Sequence, residues 1–322
     1  MRQYLKRIVR KSISKLVGIE DLSNLLDRLK QMTESFDSLN SRMLLNEVAS
    51  TSQGVQQLLS QAHRGQTAGK DALGRLLESG FRCFSQNDED GVLLHIFSVV
   101  GTTNKKAVEI SAGDGVECNA ANLIVNHGWR GLLFDGDEQN IAVGKRFYSR
   151  CRDTFFHPPV LVHAWITAEN VNELVAANDF AGDIDLLSVD MDGMDYWIWK
   201  ALTCIRPRVV VLEFNARWGP YASVTSPYRP DFRLDWDHPS WLTTGASLAA
   251  FVKLGRERGY RLVGIHRGGV NALFLRSDTG ADCFPEVTPE ECFGRIPRLS
   301  IWRPEWIPKR EECPECHNVV EI

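Results

Sequence analysis

Residues 107–115 read AVEISAGDG, and residues 132–137 read LLFDGD. The first stretch is a short apolar strand carrying one acid, Glu109, and closing in a glycine-spaced turn. The second is a strand that ends in aspartates, Asp135 and Asp137. Between them CNAANLIVNHG has helical spacing, with Gly128 where the helix should stop. A strand, a tight turn, a helix and a second strand ending in an acid is the local pattern that holds a nucleoside.

Each residue in that pattern has a physical task. Gly113 and Gly115 carry no side chain, so the backbone there can approach a ligand closely. Asp135 stands 22 residues beyond Gly113, where a carboxylate accepts from both hydroxyls of a ribose. Asp137 is the alternative for that role, and capping of the next helix is the structural reading of Asp135. The third glycine of a dinucleotide-binding turn is missing, because Cys118 occupies its place. A single adenosine-type nucleoside is therefore expected in preference to a dinucleotide.

Outward from this pair the elements alternate. SQNDEDGVLLHIFSVVG reads as a helix opened by Ser and Asn caps, with acids in its first turn. Helices of about ten residues then separate the strands VLVHAWI, DIDLLSVDMDG and PRVVVLEFN. That order predicts a parallel, doubly wound α/β sheet. After the helix ASLAAFVKLGRERG, the runs YRLVGIHR and NALFLRSD flank Gly268-Gly269 and read as a terminal hairpin, one strand of it antiparallel.

The motifs VEISAGDGVECNAANL, GWRGLLFDGD, LLSVDMDGMD, VVVLEFN, and GASLAAFVKLGRERGYRLVG followed by VNALFLR resemble, in this order, the FkbM-like family of S-adenosylmethionine-dependent methyltransferases. The resemblance covers about residues 85–278. It implies a Rossmann-like methyltransferase fold with a seven-stranded, mostly parallel sheet and a C-terminal antiparallel hairpin, preceded by an N-terminal helical or coiled-coil segment. It implies S-adenosyl-L-methionine as cofactor, with Glu109 orienting the turn and the cofactor's methionine end. Ser111 departs from the family pattern by replacing its first glycine, a change that most strand-end geometries should tolerate.

The stretch SVDMDGMD places Asp190 and Asp192 at the end of the fourth strand, where the cofactor's sulfonium and an acceptor hydroxyl would meet. One of them is a candidate general base, or the pair is a candidate Mg²⁺ site that acidifies the hydroxyl. Glu213 and Asn215, at the end of the fifth strand, are candidates to complete either arrangement, and Asp195 reads mostly as a helix cap. Residues 217–245 form a long aromatic loop suited to a lid or binding surface. Its Trp and Tyr faces suit sugar rings, Arg217, Arg229 and Arg233 suit anionic groups, and His238 is a further candidate base. The expected acceptor is a sugar, glycan or glycolipid-type molecule. The alternative is a non-catalytic methyltransferase-like domain in an interaction protein, which would show a filled cleft.

The remaining segments set the organisation. Residues 1–70 comprise a basic amphipathic segment (1–17), a short heptad pattern (22–43) and a Ser-, Gln- and Gly-rich, weakly helical linker (49–70). The first is either a self-packed helix or a peripheral contact with an anionic membrane face, where lipid-linked glycans are assembled. The second pairs between chains in a homo-oligomer or packs on its own domain. The catalytic domain is expected over 72–280 and a Pro- and Cys-containing extension over 281–322. Within that extension Cys313, Cys316 and His317 have the spacing of a zinc half-site or of a free tail. A net charge of −4 argues against nucleic-acid binding, and no run of 18 apolar residues offers a membrane span. Single, scattered cysteines suggest reduced thiols and a cytoplasmic protein.

Overall fold

The computed structural model describes Arg28, residues 52–64 and residues 71–322. The basic segment 1–17 and, apart from Arg28, the heptad segment 22–43 lie outside the described residues. Of the expected linker, residues 52–63 are helical. The chain divides into two compact units, residues 1–58 and residues 59–322, and the second carries the sheet. Among the described residues no helix is long and apolar enough to cross a membrane.

Seven strands form that sheet: β1 (Lys106–Ile110), β2 (Arg130–Asp135), β3 (Val160–His163), β4 (Gly182–Val189), β5 (Ile205–Glu213), β7 (Tyr260–Ile265) and β8 (Asn271–Arg276). Their order is β3-β2-β1-β4-β5-β8-β7. The first five pair in parallel, and β8 enters antiparallel between β5 and β7. This is a doubly wound, Rossmann-like architecture with one antiparallel strand. The strands β1, β2, β4 and β5 read as near-continuous apolar runs because helices cover the sheet on both faces. Behind β5 and β8, Trp199 is enclosed by Phe251, Tyr260 and Phe274 at ring distances of 5.4–6.2 Å.

Two details position the site. Asp185, fully buried in β4, accepts from the backbone N–H groups of Thr103, Asn104 and Lys105 and pairs with Arg208 at 3.0 Å. Burial opposes its charge, but these donors outweigh burial and hold its pKa below the ordinary value. The carboxylate thus pins the chain entering β1 to the neighbouring strand. Secondly, the helix expected from Ser85 starts later, at Glu89. Residues 83–85 instead fold around Asp90, whose carboxylate accepts three backbone N–H bonds of 2.6–2.8 Å from Cys83, Phe84 and Ser85. The acids that read as first-turn helix dressing are buried, and one of them organises the approach to the helix.

The C-terminal segment packs into the same core through Phe284, Cys292, Phe293, Ile296 and Leu299. It closes with β9 (Val320–Glu321), which pairs with β6 (Val224–Thr225) in the long loop. Cys313 and Cys316 form a disulfide, and the other six cysteines are in no disulfide among the described residues. The expectation of uniformly reduced thiols therefore fails at this one pair, where a 3₁₀ turn brings the two sulfurs together. His317 is turned to the Pro308 carbonyl at 2.8 Å. With both thiols bonded to each other, no zinc half-site is presented.

Candidate active site

The C-terminal ends of β1, β2 and β4 meet at one cavity, as the sheet's switch point requires. Glu109, buried in β1, accepts from the amides of Asn119 (2.9 Å) and Ala120 (2.7 Å), which fixes the turn between strand and helix. Burial pushes its pKa up and these two bonds pull it down. Ser111 has φ +63°, a left-handed geometry that L residues other than glycine seldom hold. Serine is accommodated here, but the backbone keeps the glycine conformation, at a cost of about 1–2 kcal/mol. Gly113 (φ +57°) has open space where a Cβ would stand, and its amide donates to Asp135 Oδ2 at 3.0 Å.

Asp135 therefore ties the two strand ends together. Its Oδ1 accepts from the Asp137 amide (2.8 Å) and from Asn140 Nδ2 (3.0 Å). Each carboxylate oxygen offers about two acceptor positions, so an open one remains on Oδ2 and none on Oδ1. This corrects the expectation of a bidentate grip: Asp135 can take one hydroxyl directly. Asp137 caps the helix Glu138–Tyr148 by accepting from Gln139, which accounts for its carboxylate. The cavity beside them, about 460 Å³, is lined by Ser111, Asp135, Gly136 and Asp137, with apolar walls from Ile166, Ile198 and Phe232.

Four carboxylates gather where β4 and β5 end. Asp190, Asp192 and Glu213 each present an oxygen within 4.8 Å of the others'. Asp195 is buried beside them and accepts from the amides of Met191 (2.9 Å) and Gly193 (3.0 Å). It fixes the turn rather than capping its own helix, whose first residue it is. Burial and Asp190 push Asp195 up to about 7. Burial, Asp190 and Asp195 push Glu213 up to about 11, so Glu213 keeps its proton. Burial also raises Asp190, while the hydrogen bond from Glu213 opposes that rise. Asp192 is exposed, sits at φ +53° and is raised by burial and by Asp190.

A second cavity of about 370 Å³ adjoins the first, and Asp192, Leu234 and Trp236 line both. Its wall comes from the long loop, which contributes Arg217, Trp241 and Thr244, and from the tail through Arg298. Asn215 does not join the carboxylates: its amide donates to the carbonyls of Leu242 and Thr244 and its oxygen accepts from Arg217 N, so it fastens the loop. His238 is also placed elsewhere. Its Nδ1 accepts from Ser240 N and meets Ser240 Oγ at 2.8 Å, which caps the 3₁₀ helix Pro239–Thr243, and it lines neither cavity. Arg229 and Arg233 reach the first cavity rather than the second.

No protein-family model matches the chain, and no curated protein matches it. Among solved structures it is similar to magnesium protoporphyrin IX methyltransferase (ChlM) from Synechocystis PCC 6803 with bound SAM, at 11% identity over 53% of this chain and 69% of that one, TM-score 0.34. It is also similar to precorrin-6y C5,15-methyltransferase from Geobacter metallireducens GS-15, at 14% identity over 57% and 77%, TM-score 0.33. A third is the mitomycin 7-O-methyltransferase MmcR, at 18% identity over 55% of this chain and 49% of that one, TM-score 0.34. The likeness is one of architecture and assigns no role to any residue.

Four residues contribute that the sequence did not single out for the site. Glu89 is buried, accepts from Asn271 Nδ2 at 2.9 Å, and its charge helps to raise Asp190. Val270 and Gly269 line the second cavity from the hairpin turn, and Arg298 comes from a region that looked like an appendix. The buried acid following SQND was the available signal for Glu89; for Arg298 there was none, since only folding brings residue 298 to the strand ends.

Proposed function

We propose that the protein is an S-adenosylmethionine-dependent methyltransferase of the FkbM-like kind that methylates a hydroxyl of a sugar or glycan-type acceptor. The observation that carries this reading is the junction at Asp192, where a cavity beside Asp135 runs into a second one walled by carboxylates and tryptophans. The donor set suits a nucleoside: Oδ2 of Asp135 has an acceptor position left for a ribose hydroxyl, and Gly113 leaves space beside it. Ile166, Ile198 and Phe232 supply apolar surface for an adenine. The non-catalytic alternative needs an apolar side chain filling this space, and the open cavity favours the enzyme.

The cofactor would supply a sulfonium methyl group, whose bonding pair stays on sulfur as the acceptor oxygen attacks. Asp190 would take the acceptor's proton. Burial raises its proton affinity, as a base for a hydroxyl needs, and the hydrogen bond from Glu213 opposes that rise. Asp195 holds the turn that carries Asp192 between the two cavities. A Mg²⁺ ion bound by Asp190, Asp192 and Glu213 is the alternative arrangement, supported by the closeness of their oxygens. It would displace the proton that Glu213 holds.

Isothermal titration with S-adenosylmethionine and S-adenosylhomocysteine tests the reading. Saturable binding of both is expected, and no heat at millimolar ligand with folded protein would overturn it.

A further inference from the structure

The second cavity has carboxyl groups and guanidinium groups on different parts of its wall. Asp192, Asp195 and Glu213 line it, and so do Arg217 and Arg298, together with Trp236 and Trp241. Arg217 is held in place: its guanidinium lies over the Trp241 ring at 5.5 Å and donates to the Trp306 carbonyl at 3.3 Å. Trp302 supports it from behind, donating to the Arg217 carbonyl at 2.9 Å and packing against Gly219. Arg298 lies beside Gly269 of the hairpin turn, where a Cβ would stand 3.5 Å from its Nε.

Neither arginine takes part in an ion pair among the described residues. Elsewhere in the protein Arg206, Arg208, Arg256, Arg276 and Arg295 all find carboxylates. Both also line a third recess of about 400 Å³ with Ala216, Leu299 and Trp306, so the groove runs on past them. Two guanidinium groups without an ion-pair partner on one cavity wall, that of Arg217 held in place, can receive a carboxylate or a phosphate.

We infer that the second cavity takes an acidic sugar, with its hydroxyl toward the carboxyl cluster at Asp192 and Glu213, which Asp190 adjoins, and its carboxylate or phosphate on Arg217 and Arg298. The inference rests on the methyltransferase reading for the identity of the reacting hydroxyl. The arginines attract the anion and the carboxyl end of the cavity offers it no positive partner, so the wall sets the acceptor's direction. Trp236 and Trp241, with ring centres 5.5 Å apart and planes 47° to each other, each offer an apolar ring that the C–H face of a pyranose can cover. A volume of about 370 Å³ suits a small molecule of this class.

The test is calorimetric titration of the full chain, preloaded with S-adenosylhomocysteine, using glucose, glucuronate and glucose 1-phosphate. The charged sugars are expected to bind at least about tenfold more tightly than glucose, with the advantage fading as salt rises. Comparing the two charged probes decides between carboxylate and phosphate. In Arg298→Gln the advantage should fall about tenfold with S-adenosylhomocysteine affinity unchanged, and Arg298→Lys should restore part of it. Arg298 is exposed, so these variants fold. Equal affinity for all three sugars, binding of none, or a preference that survives in the double variant R217Q/R298Q would overturn the inference. Failure of the methyltransferase reading shows separately, as missing S-adenosylhomocysteine binding while the preference for charged sugars persists.

Discussion

Glu213→Gln should make this protein more stable, by an amount that depends on pH. Glu213 ends β5 beside Asp190 and Asp195, and burial with those two charges lifts its pKa from an ordinary 4.5 to about 11. Between those values the folded chain holds a proton that the unfolded chain has released. The folded state then binds more protons, so stability falls as pH rises above 4.5. The loss is about 1.4 kcal/mol per pH unit, or about 3 kcal/mol by neutrality. Glutamine carries no charge to desolvate, and its amide still donates to Asp190, so the substitution removes this loss and keeps the contact. Urea unfolding of both proteins, followed by tryptophan fluorescence at several values from about pH 5 to about pH 8, reads the difference directly. The variant should gain about 2–3 kcal/mol near neutrality, and the gap should close toward acid pH. Asp190, Asp192 and Asp195 titrate in both proteins, so the subtraction isolates Glu213. A gap that is independent of pH, or a variant less stable than the parent at neutral pH, would refute the assignment of a neutral Glu213.

Other expectations rest on separate contacts. Ser111→Gly should raise the unfolding free energy by about 1 kcal/mol, since glycine holds φ +63° without the Cβ penalty; the urea midpoint reads it. Asp135→Ala should weaken S-adenosylmethionine binding by titration, because it removes both an acceptor and the tie to Gly113. Asp190→Asn should leave that binding largely intact and abolish turnover, and equal loss of binding in both variants would reverse the roles. Exhaustive EDTA treatment should leave methyl transfer intact if the proton shared between Asp190 and Glu213 is the working arrangement, whereas recovery on added Mg²⁺ would favour the cation.

Periodicity, glycines and strand-end acids were enough to read the sheet, because each parallel strand is an apolar run buried by its own flanking helices. The terminal hairpin was legible from Gly268-Gly269, and β8 takes the antiparallel place expected of one of its strands. Gly113, Asp135 and Asp190 were legible as strand-end residues for the same reason: the end of a buried strand is where the chain must turn. What their side chains do was decided by tertiary structure. Asp135 spends most of its acceptors on Gly113, Asp137 and Asn140, and His238 spends its ring nitrogen on a 3₁₀ cap. Ser111 holds a glycine's backbone because the turn between β1 and its helix sets φ, whatever residue stands there. Glu213 is distant along the chain from Asp190 and Asp195, and it faces them only once β4 and β5 lie side by side. Arg298 reaches the second cavity because residues 284–299 bury their apolar side chains against the sheet. Local sequence governs where the chain turns and which face is apolar. The charge and reach of a site arise from residues that approach only after the core has closed.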